Sequence, residues 1–175
     1  VALEAARQNG RTGAELVGAV TAGYEIAGRL PKAIGTRNLY LAGLANHGVA
    51  PTFGAAAAAA PLMGLLPEQV DHMLAYCAQQ ASGSWQWLLD VRHVEKAFVF
   101  GGMGARNGMQ AAQMAKLGFT GVPASFDNEN AWFRWRAFQG QGADHASLVE
   151  GLHEHYELSL SAMKRYPVGG PTQPA

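Results

Sequence analysis

A mostly α-helical domain closed by one short C-terminal strand is the fold class this sequence predicts, and three observations carry the prediction. Apolar residues recur at helical period from Leu16 through Val20, Tyr24 and Ala27, and again from Val70 through Met73, Leu74, Cys77 and Ala81. Six consecutive alanines, Ala55 to Ala60, strip side-chain bulk from every face of a helix and let neighbouring backbones come close, which marks that helix as buried. Period-two alternation is found at His155 to Lys164, with Tyr156, Leu158, Leu160 and Ala162 on one side, the pattern of a half-buried strand.

The elements follow in order. Leu3 to Arg7 ends a helix, closed by Asn9-Gly10, which tolerates the left-handed conformation of a helix stop. Thr12 is placed as an N-cap with Glu15 at capping-box spacing, and the helix it opens runs about five turns to Pro31. Pro31 to Pro51 is poorly periodic and rich in glycine, so an ordered loop carrying His47 is expected, with the alanine helix starting near Thr52 and kinked at Pro61. Pro67 suits the first turn of the next helix, with Glu68 beside it. Trp85 to Val94 reads as a loop or short helix covering the core edge. Gly101 to Gly108 reads as a turn before a helix with Met109, Ala112 and Leu117, stopped by Gly118. Phe119 to Asn130 is a connection, Trp132, Phe133 and Trp135 form a lid or interface, and Ser147 to Gly151 ends a short helix. Tyr166-Pro167 and Gly169-Gly170-Pro171 close the strand. The division expected is a helical domain over 1–152 and the start of a lid over 153–175.

Composition narrows the function classes. The 175 residues are 49% hydrophobic and 15% charged, enough for a sizeable core and too apolar for disorder. A formal net charge of zero gives no basic footprint for nucleic acid and no polybasic membrane patch. A single cysteine, Cys77, on an apolar helix face excludes a disulfide framework and suits a buried, inert thiol in a reducing compartment. The longest apolar stretch is too short to span a bilayer and the N-terminus has no signal-peptide pattern, so a soluble intracellular chain is expected.

Two residues carry candidate chemistry. His47 sits among glycines before the small-residue helix, where a neutral imidazole takes a proton from carbon or gives one to a leaving hydroxyl; a surface histidine is the alternative. Lys96 precedes the glycine turn, where an ammonium and free backbone N–H groups jointly hold a carboxylate or phosphate; a solvated lysine is the alternative. The glycines Gly101, Gly102, Gly104 and Gly108 do not match a nucleotide loop. His153 and His155 lack a third metal ligand in sequence.

Seven segments, taken together, resemble the MmgE/PrpD family along the whole chain: Gly23-Tyr-Glu25 with Arg29; Phe53-Gly54 and the alanines with Leu62-Met-Gly-Leu65; Ala81-Ser-Gly83; Lys96; Ala105-Arg-Asn-Gly108 with Ala111-Ala112; Gly118-Phe-Thr-Gly121; and Lys164-Arg-Tyr-Pro167. That family includes 2-methylcitrate dehydratase, cis-aconitate decarboxylase and iminodisuccinate epimerase. The resemblance implies a helical domain followed by an α/β lid, a cytoplasmic homodimer, and metal- and cofactor-free acid–base chemistry on small polycarboxylates. It assigns His47, Lys96 and Lys164 as catalytic residues, with Gly101, Gly102, Arg106 and Tyr166 around the substrate. Two departures stand out: Ala45 occupies the register of the family's histidine unless the loop holds an indel, and Gln173-Pro174 replaces the family's His-Pro. The family's earlier paired aspartates are not matched, so this chain resembles a central part of the family protein with an incomplete site. A non-catalytic helical binding or dimerisation module is the reading from another class.

Overall fold

The computed structural model describes residues 1–140, 142–168 and 173, so the expected Gly169-Gly170-Pro171 turn and Pro174 lie outside the described residues. The helices are α1 (Ala2–Gln8), α2 (Gly13–Ile34), α3 (Thr36–Leu41), α4 (Asn46–Met63), α5 (Pro67–Gln80), α6 (Val94–Ala97) and α7 (Gly104–Lys116), with a π-helical turn over Phe98–Met103 joining the last two. The fold is mostly α, as the periodicity requires.

Local chemistry sets several boundaries where the sequence placed them. The capping box of α2 is complete: the Glu15 N–H donates to Thr12 Oγ1 at 3.3 Å and the Thr12 N–H donates to Glu15 Oε2 at 2.8 Å. Pro67 occupies the first turn of α5 as expected; the stop of α4 at Gly64, in the left-handed region, is one the sequence analysis does not place. On α5, Met73 and Cys77 are buried with Val70 and Leu74 packed beside them.

Helix α4 is the centre, pressed between α2 on one side and α7 on the other. Small residues make both contacts. A Cβ on Gly54 would stand 2.8 Å from Gly23 O and 2.9 Å from Ala27 Cβ, and one on Gly108 would run into Thr52 O and Ala55 Cβ, so glycine is what permits both approaches. Ala56, Ala58, Ala59 and Ala60 are buried accordingly. Against α4, α2 offers the small residue Gly23, where a Cβ would stand 2.9 Å from Gly54 O and 3.1 Å from Ala58 Cβ, while Tyr24 is 47% exposed. Replacing Ala58 by leucine is therefore expected to overpack the α2–α4 contact and cost about 1–3 kcal/mol. Thermal unfolding measures it, and an unmoved midpoint would contradict the close packing.

Phe53, Leu30, Ile34, Leu39, Met73, Phe133 and Phe138 fill the main core. The tryptophan segment is part of that core: Trp132 stacks on Phe53 with centroids 5.2 Å apart and meets Phe138 edge-on at 5.1 Å. It is not a separate lid.

The structure departs from expectation in three regions. Residues 31–51 are helical rather than a loop: α2 runs through Pro31 to Ile34, Gly35 breaks it at φ +82°, α3 follows, and α4 begins at Asn46. Pro31 lies inside α2 and, having no N–H, leaves the Ala27 carbonyl without its helical donor. The glycines 101–104 do not form a turn before a helix; they lie within one helical run from Val94 to Lys116. The expected strand at 155–164 is absent, and its place is taken by a 3-10 turn over Glu157–Leu160 followed by extended chain. A strand needs an open edge to pair with, and among the described residues the pairing is limited to the isolated bridge Leu44–Ser84. Backbone bonds from Ser159 N to Tyr156 O and from Ser161 N to Leu158 O satisfy the segment locally instead. Tyr156, Leu158 and Leu160 are all more than two-fifths exposed, so the alternation does not mark a buried face.

Candidate active site

The start of α4 is pinned by its neighbours. The Ala45 N–H donates to Gly83 O at 2.8 Å, and Gly48 packs against Ser82 and Gly83 so closely that a Cβ there would meet the chain. His47, between them, points outward from the first helical turn, not from a loop.

Its imidazole lies flat on Phe100, with centroids 4.1 Å apart and planes 4° from parallel. Lys96 and Phe100 are one helical turn apart, so they share a face of the α6–π run. The Lys96 ammonium sits 5.5 Å from the centroids of both Phe100 and Trp87. Trp87 meets Phe100 edge-on at 4.8 Å, Trp85 follows at 5.3 Å, and Tyr40 closes the row. The indole N–H groups of Trp85 and Trp87 are buried and have no acceptor among the described residues.

Burial, and then the positive charge of Lys96, hold the His47 pKa below its ordinary value of 6.5. The ring is therefore neutral at neutral pH, ready to accept a proton. The helix N-terminus on which it sits acts in the same direction. No ion pair between Lys96 and a carboxylate is found among the described residues, where the paired cations are Arg7, Arg11, Arg29 and Lys32.

The backbone N–H of Lys96 is engaged within the chain. It donates to Asp90 Oδ2 at 3.1 Å, while the Arg92 N–H donates to Asp90 Oδ1 at 3.1 Å. These N–H groups, that of Lys96 first, hold the Asp90 carboxyl below its ordinary range. Only the side chain of Lys96 remains for a ligand.

The other candidates are placed as follows. Gly101 and Gly102 are exposed on the π turn, with open space where a Cβ would stand on Gly101. Arg106 lies farther along the run, its guanidinium 5.5 Å from the Phe98 centroid and bonded to Asn107 Oδ1. Lys164 is exposed and donates to Val168 O at 3.1 Å, and the backbone of Tyr166 is bonded to Gln173. Among the described residues no hydrogen bond, ion pair or ring contact joins Lys164 or Tyr166 to His47 or Lys96. The structure thus brings together two of the three residues assigned to catalysis. Cys77 is buried, and burial pushes its thiol up to about 12, which leaves it inert. Among the described residues no group of three or more ligating side chains gathers, and His153 and His155 stay apart from such a cluster.

Phe100, Trp87 and Asp90 were not legible as site residues. The one signal was the spacing of Lys96 and Phe100, which places both on one helical face. Two cavities lie elsewhere, one of about 680 Å³ beside Tyr76, Gln79 and Trp132 and one of about 700 Å³ under the segment of His153 and Tyr156. Neither is lined by His47 or Lys96.

The fold and site thus define a small-residue helical domain that sets His47, its pKa held below the ordinary value, near a lysine with no ion-pair partner among the described residues. Residues 1–144 match the model of the MmgE/PrpD N-terminal domain, and the chain belongs to the MmgE/PrpD family. It is 31% identical over 138 residues to the cis-aconitate decarboxylase-like protein oryM of Aspergillus oryzae, a match covering 75% of this chain and 27% of that protein. Among the described residues no helix is long and apolar enough to cross a membrane.

Proposed function

We propose that this domain supplies part of the active site of a lyase or isomerase that acts on small polycarboxylates, with 2-methylcitrate dehydration the leading reaction and decarboxylation or epimerisation the variants. The observation that carries the reading is the half-buried Lys96, its ammonium held on two aromatic rings and without a carboxylate partner among the described residues, beside a neutral His47. An unpaired cation at such a place is suited to an anionic ligand. His47 takes the proton next to a substrate carboxylate, the electron pair of that C–H bond moves toward the carboxylate, and Lys96 stabilises the enolate-like charge. In dehydration the pair then returns to form the double bond and hydroxide leaves, taking a proton to depart as water.

Gly101 and Gly102 leave room for the substrate beside Lys96. Lys164 and Tyr166 keep the role the family resemblance gives them only if the C-terminal segment moves to the His47 face. The same resemblance supports a cytoplasmic homodimer. The name of the oryM relative supports decarboxylation of cis-aconitate as one variant.

A non-catalytic interface module is favoured by one observation. Leu88, Leu89, Val91 and Val94 are all exposed along the segment that carries Lys96. Calorimetric titration of citrate and cis-aconitate separates the two. Binding that is lost in Lys96→Ala is the expected result; dimerisation with no anion binding would overturn the catalytic reading and leave the module.

A further inference from the structure

His47 has no hydrogen-bond partner on either ring nitrogen among the described residues, whereas a working imidazole is ordinarily oriented by a bond to its second nitrogen. What it has is the parallel contact with Phe100 at 4.1 Å. Phe100 is itself held on its other flanks. Trp87 abuts it edge-on at 4.8 Å, and the Lys96 ammonium lies 5.5 Å from its centroid.

The backbone explains how Phe100 reaches this position. The π turn over Phe98–Met103 inserts a wide turn between α6 and α7, and π turns of this kind concentrate at functional sites. Downstream of it, Gly104, Gly108, Ala111 and Ala112 are buried against α4. Within it, Phe100 reaches His47 at the start of α4, and Lys96 stands one turn before Phe100 in α6. An uninterrupted α-helix would rotate the two faces relative to each other by about 100° for each residue of register.

We propose that Phe100 is the positioning residue for His47, its ring fixing the plane of the imidazole so that both nitrogens project from an uncovered edge toward the space beside Lys96. The inference rests on the catalytic reading of His47 for its functional consequence, but the stack itself is a property of the chain alone. One covered face also excludes water from the ring. Lys96, borne on the same helical run, is the charged group facing it from that side; on α4 the neighbours Asn46 and Gly48 are uncharged.

The test is NMR of the His47 imidazole in the whole chain as wild type, Phe100→Leu and Phe100→Tyr, together with kinetics of the parent protein on cis-aconitate and 2-methylcitrate. In wild type the ring protons of His47 are expected upfield, within the ring current of Phe100, and its titration midpoint below 6.5. Phe100→Leu should abolish the upfield shift, move the midpoint up toward 6.5 and lower kcat by about tenfold to a hundredfold, with KM nearly unchanged. Phe100→Tyr, which keeps an aromatic face, should restore all three. A Phe100→Leu protein with His47 shifts and midpoint like wild type overturns the proposal, as does a Phe100→Tyr protein as altered as Phe100→Leu. If leucine prevents folding, the tyrosine variant alone decides, because retained shifts support the stack and lost shifts refute it. Failure of the catalytic reading shows separately: His47→Ala then keeps its turnover while the Phe100→Leu titration still moves.

Discussion

Alanine at His47 in the full-length protein is expected to lower turnover by about a hundredfold to ten-thousandfold, the range a positioned general acid–base contributes. Alanine at Lys96 is expected to lower it by about a hundredfold to a thousandfold, as removal of one preorganised charge-stabilising donor does. The His47 effect should fall mainly on kcat, because the proton moves only beyond the ground state, whereas loss of Lys96 should also raise KM, because its ammonium holds the substrate carboxylate before any charge develops. The pH profile gives a second readout. The His47 pKa lies below 6.5, so the wild-type rate should hold through neutrality and fall on the acid side with a midpoint below 6.5. Lys96→Gln removes the second cause of that depression and leaves burial, the first, so the His47 midpoint should rise without passing 6.5. Stability follows the same sign. Protonating His47 costs more in the folded chain than in the unfolded one, so its neutral-pH contribution is lost as pH falls from 6.5 toward the folded value, and nothing changes above. Near-normal turnover in both alanine variants, on every substrate the wild type converts, would refute the assignment.

Arg29→Ala should be strongly destabilising, at about 3–5 kcal/mol, the cost of breaking a buried ion pair by removing one partner. Arg29 is 4% exposed and Glu25 9%, and their side chains meet at 2.9 Å one turn apart on α2. The same guanidinium donates to Glu150 O at 2.6 Å and His155 O at 3.1 Å, and the Glu157 N–H donates to the other oxygen of Glu25 at 2.6 Å. Lys32 adds an ion pair to Glu157 at 2.6 Å. The pair is therefore the clasp that holds residues 147–157 against α2. Loss of Arg29 strands a buried carboxylate and frees the carbonyls of Glu150 and His155 at once. Denaturant unfolding measures the cost, and hydrogen exchange should show lost protection at Glu157 before the core of α4. The double variant Glu25→Ala with Arg29→Ala should recover part of the loss, since it leaves no lone charge. A cost below about 1 kcal/mol, the range of an exposed ion pair, would show that the segment is not docked there.

The sequence by itself determined the features whose causes lie within a turn or two of chain. Thr12 and Glu15 close the capping box of α2, Pro67 opens α5, Gly118 stops α7, and six alanines make a helix that must be buried. The buried, inert state of Cys77 was legible for the same reason, because its helical face is apolar. The importance of Gly23, Glu25 and Arg29 was visible as a pattern, but not that Gly23 lies against Gly54 or that the charged pair clasps the chain more than a hundred residues later. Those contacts depend on how helices pack, and no local signal encodes them.

Tertiary structure alone decided the site. The glycines and prolines of residues 31–51 read as a loop, yet packing against α2 and the chain at Ser82–Gly83 holds most of that stretch helical and puts His47 in a helix's first turn. The alternation after His155 read as a strand, yet with no edge offered to it the segment satisfied its own backbone in a 3-10 turn and anchored to Glu25. The run after Lys96 read as a glycine turn, yet Gly104 and Gly108 are needed for contact with α4, and the π turn before them aims Phe100 at His47. Composition and period report what a segment prefers when alone. Which imidazole meets which aromatic ring is set by the close approach of α4 and α7, and that approach exists only in the folded chain.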